Sequence, residues 1–173
     1  GLSLSILVLC LSINQLTHAQ TFEGQLTYSI EYLEVPAEMR GMESMLPKTM
    51  DMHLKLSKMA IVQSVMGGNQ TVLYNSETEE SAILMDMMGQ KIAIQVSKEE
   101  ERAALEQVGE PELIYQEGSR DILGYPCKKA ILKTGDNEVE VWYTKEIKGA
   151  SHRDFKTLDG FPLQYLAILS TSI

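Results

Sequence analysis

The feature that most restricts this chain is an alternation of apolar and polar side chains recurring in short runs. Leu26, Tyr28, Ile30 and Tyr32 interleave with Gln25, Thr27, Ser29 and Glu31, the period of two expected of a strand with one buried and one wet face. Met50, Met52, Leu54 and Leu56 alternate in the same way with Asp51, His53, Lys55 and Ser57. The runs "AIVQSV", "TVLYN", "AILMDMM" and "KIAIQV" follow, separated by Gly67-Gly68-Asn69, a charged turn from Glu77 to Glu80, and Gly89-Gln90. Short strands joined by such turns predict an antiparallel meander. Beyond a helical interval come "ELIYQ", "CKKAILK", a "TGDN" turn, "EVEVWYT" and "FPLQYLAILS". No internal repeat and no long linker divides the chain, so one domain is expected over residues 20–173.

Two helical insertions are expected. In "PAEMRGMESML", Met39, Met42, Met45 and Leu46 recur at spacings of three and four, which lines them along one side of a helix between Pro36 and Pro47. Gly41 weakens that helix. The second is better marked: Ser97 and Glu100 form a capping box, Glu99 to Glu101 suit the positive end of the helix dipole, and Ala104, Leu105 and Val108 supply a narrow apolar stripe before Gly109 and Pro111.

Leu2 to Ile13 is almost purely apolar and is followed by Thr17 and Ala19, the pattern of a secretory leader cleaved after Ala19. The run is shorter than the roughly 20 residues that span a bilayer, so no stable transmembrane segment is expected after processing. The missing initiator methionine and basic leader are expected of a sequence that has lost its first residues, and the end at "LAILSTSI" of one cut before its final strand. Without the leader only Cys127 remains, so no internal disulfide is expected and stability must come from a core. The net charge of -9 argues against nucleic acid as a partner.

The residues 38–56 hold five methionines in nineteen positions. Soft thioethers bind Cu(I), and Met50 to His53 with Met85 to Met88 are similar to short Met-x-Met copper motifs. Met50 and Met52 also follow the alternation of Leu54 and Leu56, which an apolar strand face explains without metal. His53 and His152 are expected at the surface, Cys127 as a buried inert thiol, and Asn69-Gln70-Thr71 in a turn. Glu77, Glu79, Glu80 and Glu99 to Glu101 read as solvated turns and a helix start. No acid, base and nucleophile set is found, so no enzyme activity and no cofactor are expected.

The phrases "EGQLTYSIEY", "VPAEMRGMESMLPKTM", "LMDMMGQK", "GYPCKKAIL" and "GFPLQY" together resemble an uncharacterised family of exported bacterial proteins, a domain of unknown function placed among LolA-like folds. The resemblance implies the periplasm of a Gram-negative bacterium. It also implies an α+β fold: a curved, half-open antiparallel β-barrel of about 9–11 strands whose open side is covered by helices, as in the lipoprotein carriers.

The function expected from these observations is non-enzymatic binding of an apolar small molecule, lipid or lipoprotein acyl chain in a methionine-lined cavity between sheet and helical lid. Its lining is expected from Met39, Met42, Met45, Leu46, Met50, Met52, Met85 and Met87, with Tyr28, Ile30, Ile92 and Ile94 deeper on the sheet. An envelope protein is a further expected class of partner. Copper handling by the same methionines, and an envelope scaffold with a closed methionine-rich core, remain open beside it.

Overall fold

The structure is a computed structural model and describes residues 21–35, 40–65, 67–108, 111–135 and 137–166. The expected meander forms. Strands β1 (Gly24–Ser29), β2 (Thr49–Lys55), β3 (Lys58–Val65), β4 (Gly68–Asn75), β5 (Glu80–Met87) and β6 (Gln90–Val96) pair in sequence order as a six-stranded antiparallel sheet. Helix α1 (Lys98–Val108) then leads to β7 (Glu112–Ile122), β8 (Tyr125–Thr134), β9 (Asn137–Thr144) and β10 (Phe161–Tyr165), a four-stranded sheet in the order β10-β9-β8-β7. The capping box is present: the Ser97 N–H donates to Glu100 Oε2 at 2.8 Å, and the Glu100 N–H donates to Ser97 Oγ at 3.3 Å. Asn69 lies exposed within β4 and not in a turn.

Cross-strand partners share a face, so the register sorts the side chains of the larger sheet. Tyr28, Met50, Gln63, Gln70, Met85 and Ile92 form one row across it, and Leu26, Met52, Ile61, Val72, Ile83 and Ile94 the next. Leu54, Met59, Tyr74, Ser81 and Val96 form a third on the same face. The four-stranded sheet and its loops seal part of this face: Met52, Leu54, Met59 and Tyr74 are buried in one cluster with Cys127, Ile147, Phe161 and Leu163. The Tyr28 hydroxyl donates to the Pro162 carbonyl at 2.7 Å and pins β1 to β10. On the smaller sheet, Ala130, Val141 and Tyr143 pack with Phe155 and Leu158 of the β9–β10 loop.

The expected α+β half-barrel is overturned. The described residues are nearly all β, with 58% strand, 10% helix and no closed barrel among them, and the one α-helix they contain forms no lid. The lipoprotein-carrier shape implied by the resemblance is therefore not the one adopted. Two local causes are visible. Gly41 has φ +86°, a left-handed conformation that interrupts any helix through it, and only Glu43–Met45 forms a short 3-10 turn. The other end of that expected helix, residues 36–39 with Met39, lies outside the described residues. Helix α1 carries Glu101, buried and bonded to Ser81 of β5 and to Arg153 of the β9–β10 loop. These bonds hold it as a buttress between the two. The side chains of its expected stripe, Ala104, Leu105 and Val108, lie outside the described residues, as does the leader.

Candidate functional site

The apolar face of the larger sheet is buried at Met52, Leu54, Met59, Tyr74 and Ser81, half-buried along the rest of its first two rows, and opens towards the β6 edge at Ile92 and Ile94. Met52 is 0% exposed, while Ile94, in the same row, is 44% exposed, as is Ile92 in the neighbouring row. Val72, Ile83, Met85 and Met87 are half-buried between these extremes. Strands are about 4.8 Å apart, so the open part spans roughly 10 Å across three strands, the width of an extended hydrocarbon chain with room on either side. Gln63 and Gln70, direct partners across β3 and β4 and both half-buried, place two carboxamides in the row that ends in Met85 and Ile92. This is an apolar floor with polar groups along one line.

The expected lining residues divide. Tyr28, Met50, Met52, Met85, Ile92 and Ile94 share the face through its two rows. Met87 lies on that face beyond Met85, and Ile30, half-buried, continues β1 with its N–H bonded to the Lys48 carbonyl. Met42 is half-buried and Leu46 buried, whereas Met45 is 56% exposed beside the 3-10 turn. Neither of two depressions in the surface is lined by a methionine. A 550 Å³ depression lies by Gln116, Gly118, Cys127 and Lys128, and a 270 Å³ one by Ile147, His152, Phe155 and Leu158. Met59, not among the expected residues, is 3% exposed in the core, and its place in the "KMAIV" alternation carried the signal.

The residues suspected of other chemistry are placed against it. Met50 and Met52 point to the sealed face, but His53 is exposed on the opposite one, paired with Gln25 and Ala60. Met88 stands 90% exposed in the β5–β6 turn, away from Met85 and Met87. Neither copper-like motif therefore presents all its donors on one face. Among the described residues no group of three or more His, Cys, Asp or Glu side chains could hold a metal. Cys127 is buried, and burial pushes its thiol up despite Arg120 nearby. Burial thus favours the neutral thiol over the thiolate.

His152 corrects the expectation of a surface residue. It is 2% exposed, packed edge-on against Phe155, Phe161 and Tyr165 with ring centres 5.1, 6.0 and 5.8 Å away. Its Nδ1 accepts the Asp154 N–H at 3.2 Å and caps the 3-10 turn Arg153–Phe155, while Nε2 has no partner among the described residues. Burial, more than its charged neighbours, pushes the imidazole down to about 4. It is therefore neutral, with the proton on Nε2. Burial pushes the Tyr165 phenol up to about 12 and the Tyr28 phenol higher still.

Glu101 and Arg153 were also missed, because nothing local links residues so far apart. Arg153 donates from Nη2 at 2.7 Å and from Nε at 3.2 Å to Glu101 Oε1, which also accepts the Ser81 hydroxyl at 2.6 Å. Burial alone would raise the Glu101 carboxyl, but the Ser81 hydroxyl and the Arg153 guanidinium bring it below its ordinary value. One end of the apolar floor is thereby closed by a charge-assisted clamp.

No helix among the described residues is long and apolar enough to cross a membrane. No curated protein matches the sequence. A solved structure of PNGF-II in space group C2 is similar over 70% of this chain, with a TM-score of 0.50 and 16% identity. A second, in space group P21, has a TM-score of 0.48 and 17% identity over 68% of this chain. The chain spans 22% of the length of PNGF-II in either case, and the first likeness concerns the fold alone. Strands β1 to β9 and the turns between them lie within residues 22–161, and over that span the chain matches, and belongs to, the family described as a domain of unknown function, DUF4412.

Proposed function

We propose that this chain is an exported, non-enzymatic binding protein that holds an apolar molecule of lipid or acyl-chain type on the open half of its larger sheet. The observation that carries the reading is the continuity of one row: from Met52 in the buried core it runs through half-buried Ile61, Val72 and Ile83 without a polar break to exposed Ile94. An apolar strip left open beside a core is unfavourable unless something covers it. Methionine at positions 85 and 87 suits varied shapes, because its three rotatable bonds repack around them. Gln63 and Gln70 offer hydrogen bonds to an ester, hydroxyl or carboxyl head group. Export rests on the leader pattern and on the single cysteine outside it.

Magnitude sets the kind of binding. A fully buried methylene contributes about 0.8 kcal/mol, and a chain lying on an open floor buries about half its surface, so a dozen carbons contribute roughly 5 kcal/mol. Association itself costs at least about 4 kcal/mol. The two nearly cancel, so binding strong enough to measure needs hydrogen bonds from Gln63 and Gln70 to the head group in addition to the covered chain.

The test is native mass spectrometry and lipid extraction of protein purified without detergent, with titration of an environment-sensitive fluorescent fatty acid. Ile94→Asp on the floor should weaken probe binding more than about tenfold, whereas Leu84→Asp, on the opposite face, should leave it unchanged. A lipid-free protein that does not alter the probe's emission, or equal binding by both variants, would sink the proposal.

A further inference from the structure

A sheet has two edges, and each exposes unpaired backbone N–H and C=O groups that can template another strand. Three of the four edges here carry a device against that. β1 is tied at both ends to the other sheet and its loop, through the Phe22 N–H to the Lys148 carbonyl and the Tyr28 hydroxyl to the Pro162 carbonyl. β10 is short, contains Pro162 and has a register shift. β7 is bulged between Gln116 and Ser119 and carries Glu112, Glu117, Arg120 and Asp121.

β6 differs. Its pairing with β5 is regular from Val96 to Gln90, it has no proline, and Lys91 is its only charge. Gln90 through Gln95 are all exposed, and Ile92 and Ile94 both lie on the apolar face. No described residue outside the sheet bonds to its backbone.

We propose that β6 is the seat of a two-fold homodimer, in which two copies pair this strand antiparallel about Ala93 and join their larger sheets into one. A second copy fits for reasons of register and charge. A two-fold axis perpendicular to the sheet keeps both apolar floors on one side. Pairing about Ala93 engages the whole strand, sets Ile92 against Ile94 of the other copy, and sets Lys91 against Gln95, so no like charges meet. The two open floors become neighbours, and the four exposed isoleucines cover one another along the seam.

Ala93 pairs with Leu84, on the face opposite the floor, which allows the dimer and the lipid reading to be tested apart. Ala93→Lys places two ammonium groups opposite each other on the axis and touches nothing on the floor. Ala93→Val retains a strand-compatible side chain. Sedimentation velocity across about a hundredfold range of concentration should show a reversible dimer for the wild type and Ala93→Val, weakened more than about tenfold in Ala93→Lys. Fatty-acid probe binding by Ala93→Lys should persist. In the wild type alone, hydrogen exchange of β6 amides should slow as concentration rises, while β7 amides do not change. A monomer at every concentration, a dimer indifferent to Ala93→Lys, or β6 exchange independent of concentration would overturn the proposal.

Discussion

Acid should act on this fold first through His152. The imidazole is buried and neutral, pushed down from 6.5 to about 4 by burial, with Arg153 assisting and Asp154 opposing. The unfolded chain therefore takes up a proton at pH values where the folded chain does not. The contribution to stability is complete above about pH 6.5 and is lost as the pH falls from there towards 4. At about 1.4 kcal/mol per pH unit the whole effect is about 3 kcal/mol, of which about 2 kcal/mol should be gone by about pH 5. Glu43, Asp51, Glu79, Glu100 and Glu140 are also held below their usual values, chiefly by hydrogen bonds to their ionised forms, and they add acid sensitivity at lower pH. The histidine is isolated by comparison with His152→Asn, whose carboxamide can still accept the Asp154 N–H and cap the turn but does not titrate. Urea unfolding of both proteins at about pH 7 and pH 5 gives the difference directly. The variant should be less stable at neutral pH, because the ring contacts with Phe155, Phe161 and Tyr165 are lost, and the gap should narrow by about 2 kcal/mol on acidification. Parallel loss of stability in the two proteins would refute the argument.

Two further outcomes follow from burial. Met52→Ala should cost about 2–5 kcal/mol in urea unfolding, since its side chain is sealed between the sheets, whereas Met45→Ala, on an exposed turn, should stay within about 0.5 kcal/mol. Arg153→Ala leaves the Glu101 carboxylate buried with only Ser81 to bond it, and should destabilise by about 2 kcal/mol, less than a fully buried pair because Arg153 is partly exposed. Glu101→Gln in the same background should recover part of that loss, and no recovery would show that the carboxylate is not what the guanidinium serves.

The rows of the larger sheet explain why the fold was half legible. Alternation decides which side chains share a face, and turn residues decide where a strand ends. Both are short-range properties, so the order of β1 to β6 and the placing of Met50, Met85, Ile92 and Ile94 on one face could be read from residues a few positions apart. The same reasoning failed over the described residues 40–46, where methionines at helical spacing predicted a helix. Periodicity records which side chains want cover, and cannot see that Gly41 turns left-handed and leaves Met45 in water. His152 and Glu101 failed for a related reason: each sits in a polar local sequence and is buried by partners distant in the chain.

What the amino-acid sequence determined alone is the meander, its apolar face and the capped helix, because strand period, turn chemistry and caps act between near neighbours. Only the tertiary structure decided which half of that face becomes core and which stays open, since burial depends on where the second sheet comes to rest. Met52 and Ile94 occupy equivalent positions in one row. One is sealed and the other is not, and the difference lies wholly in what packs above them.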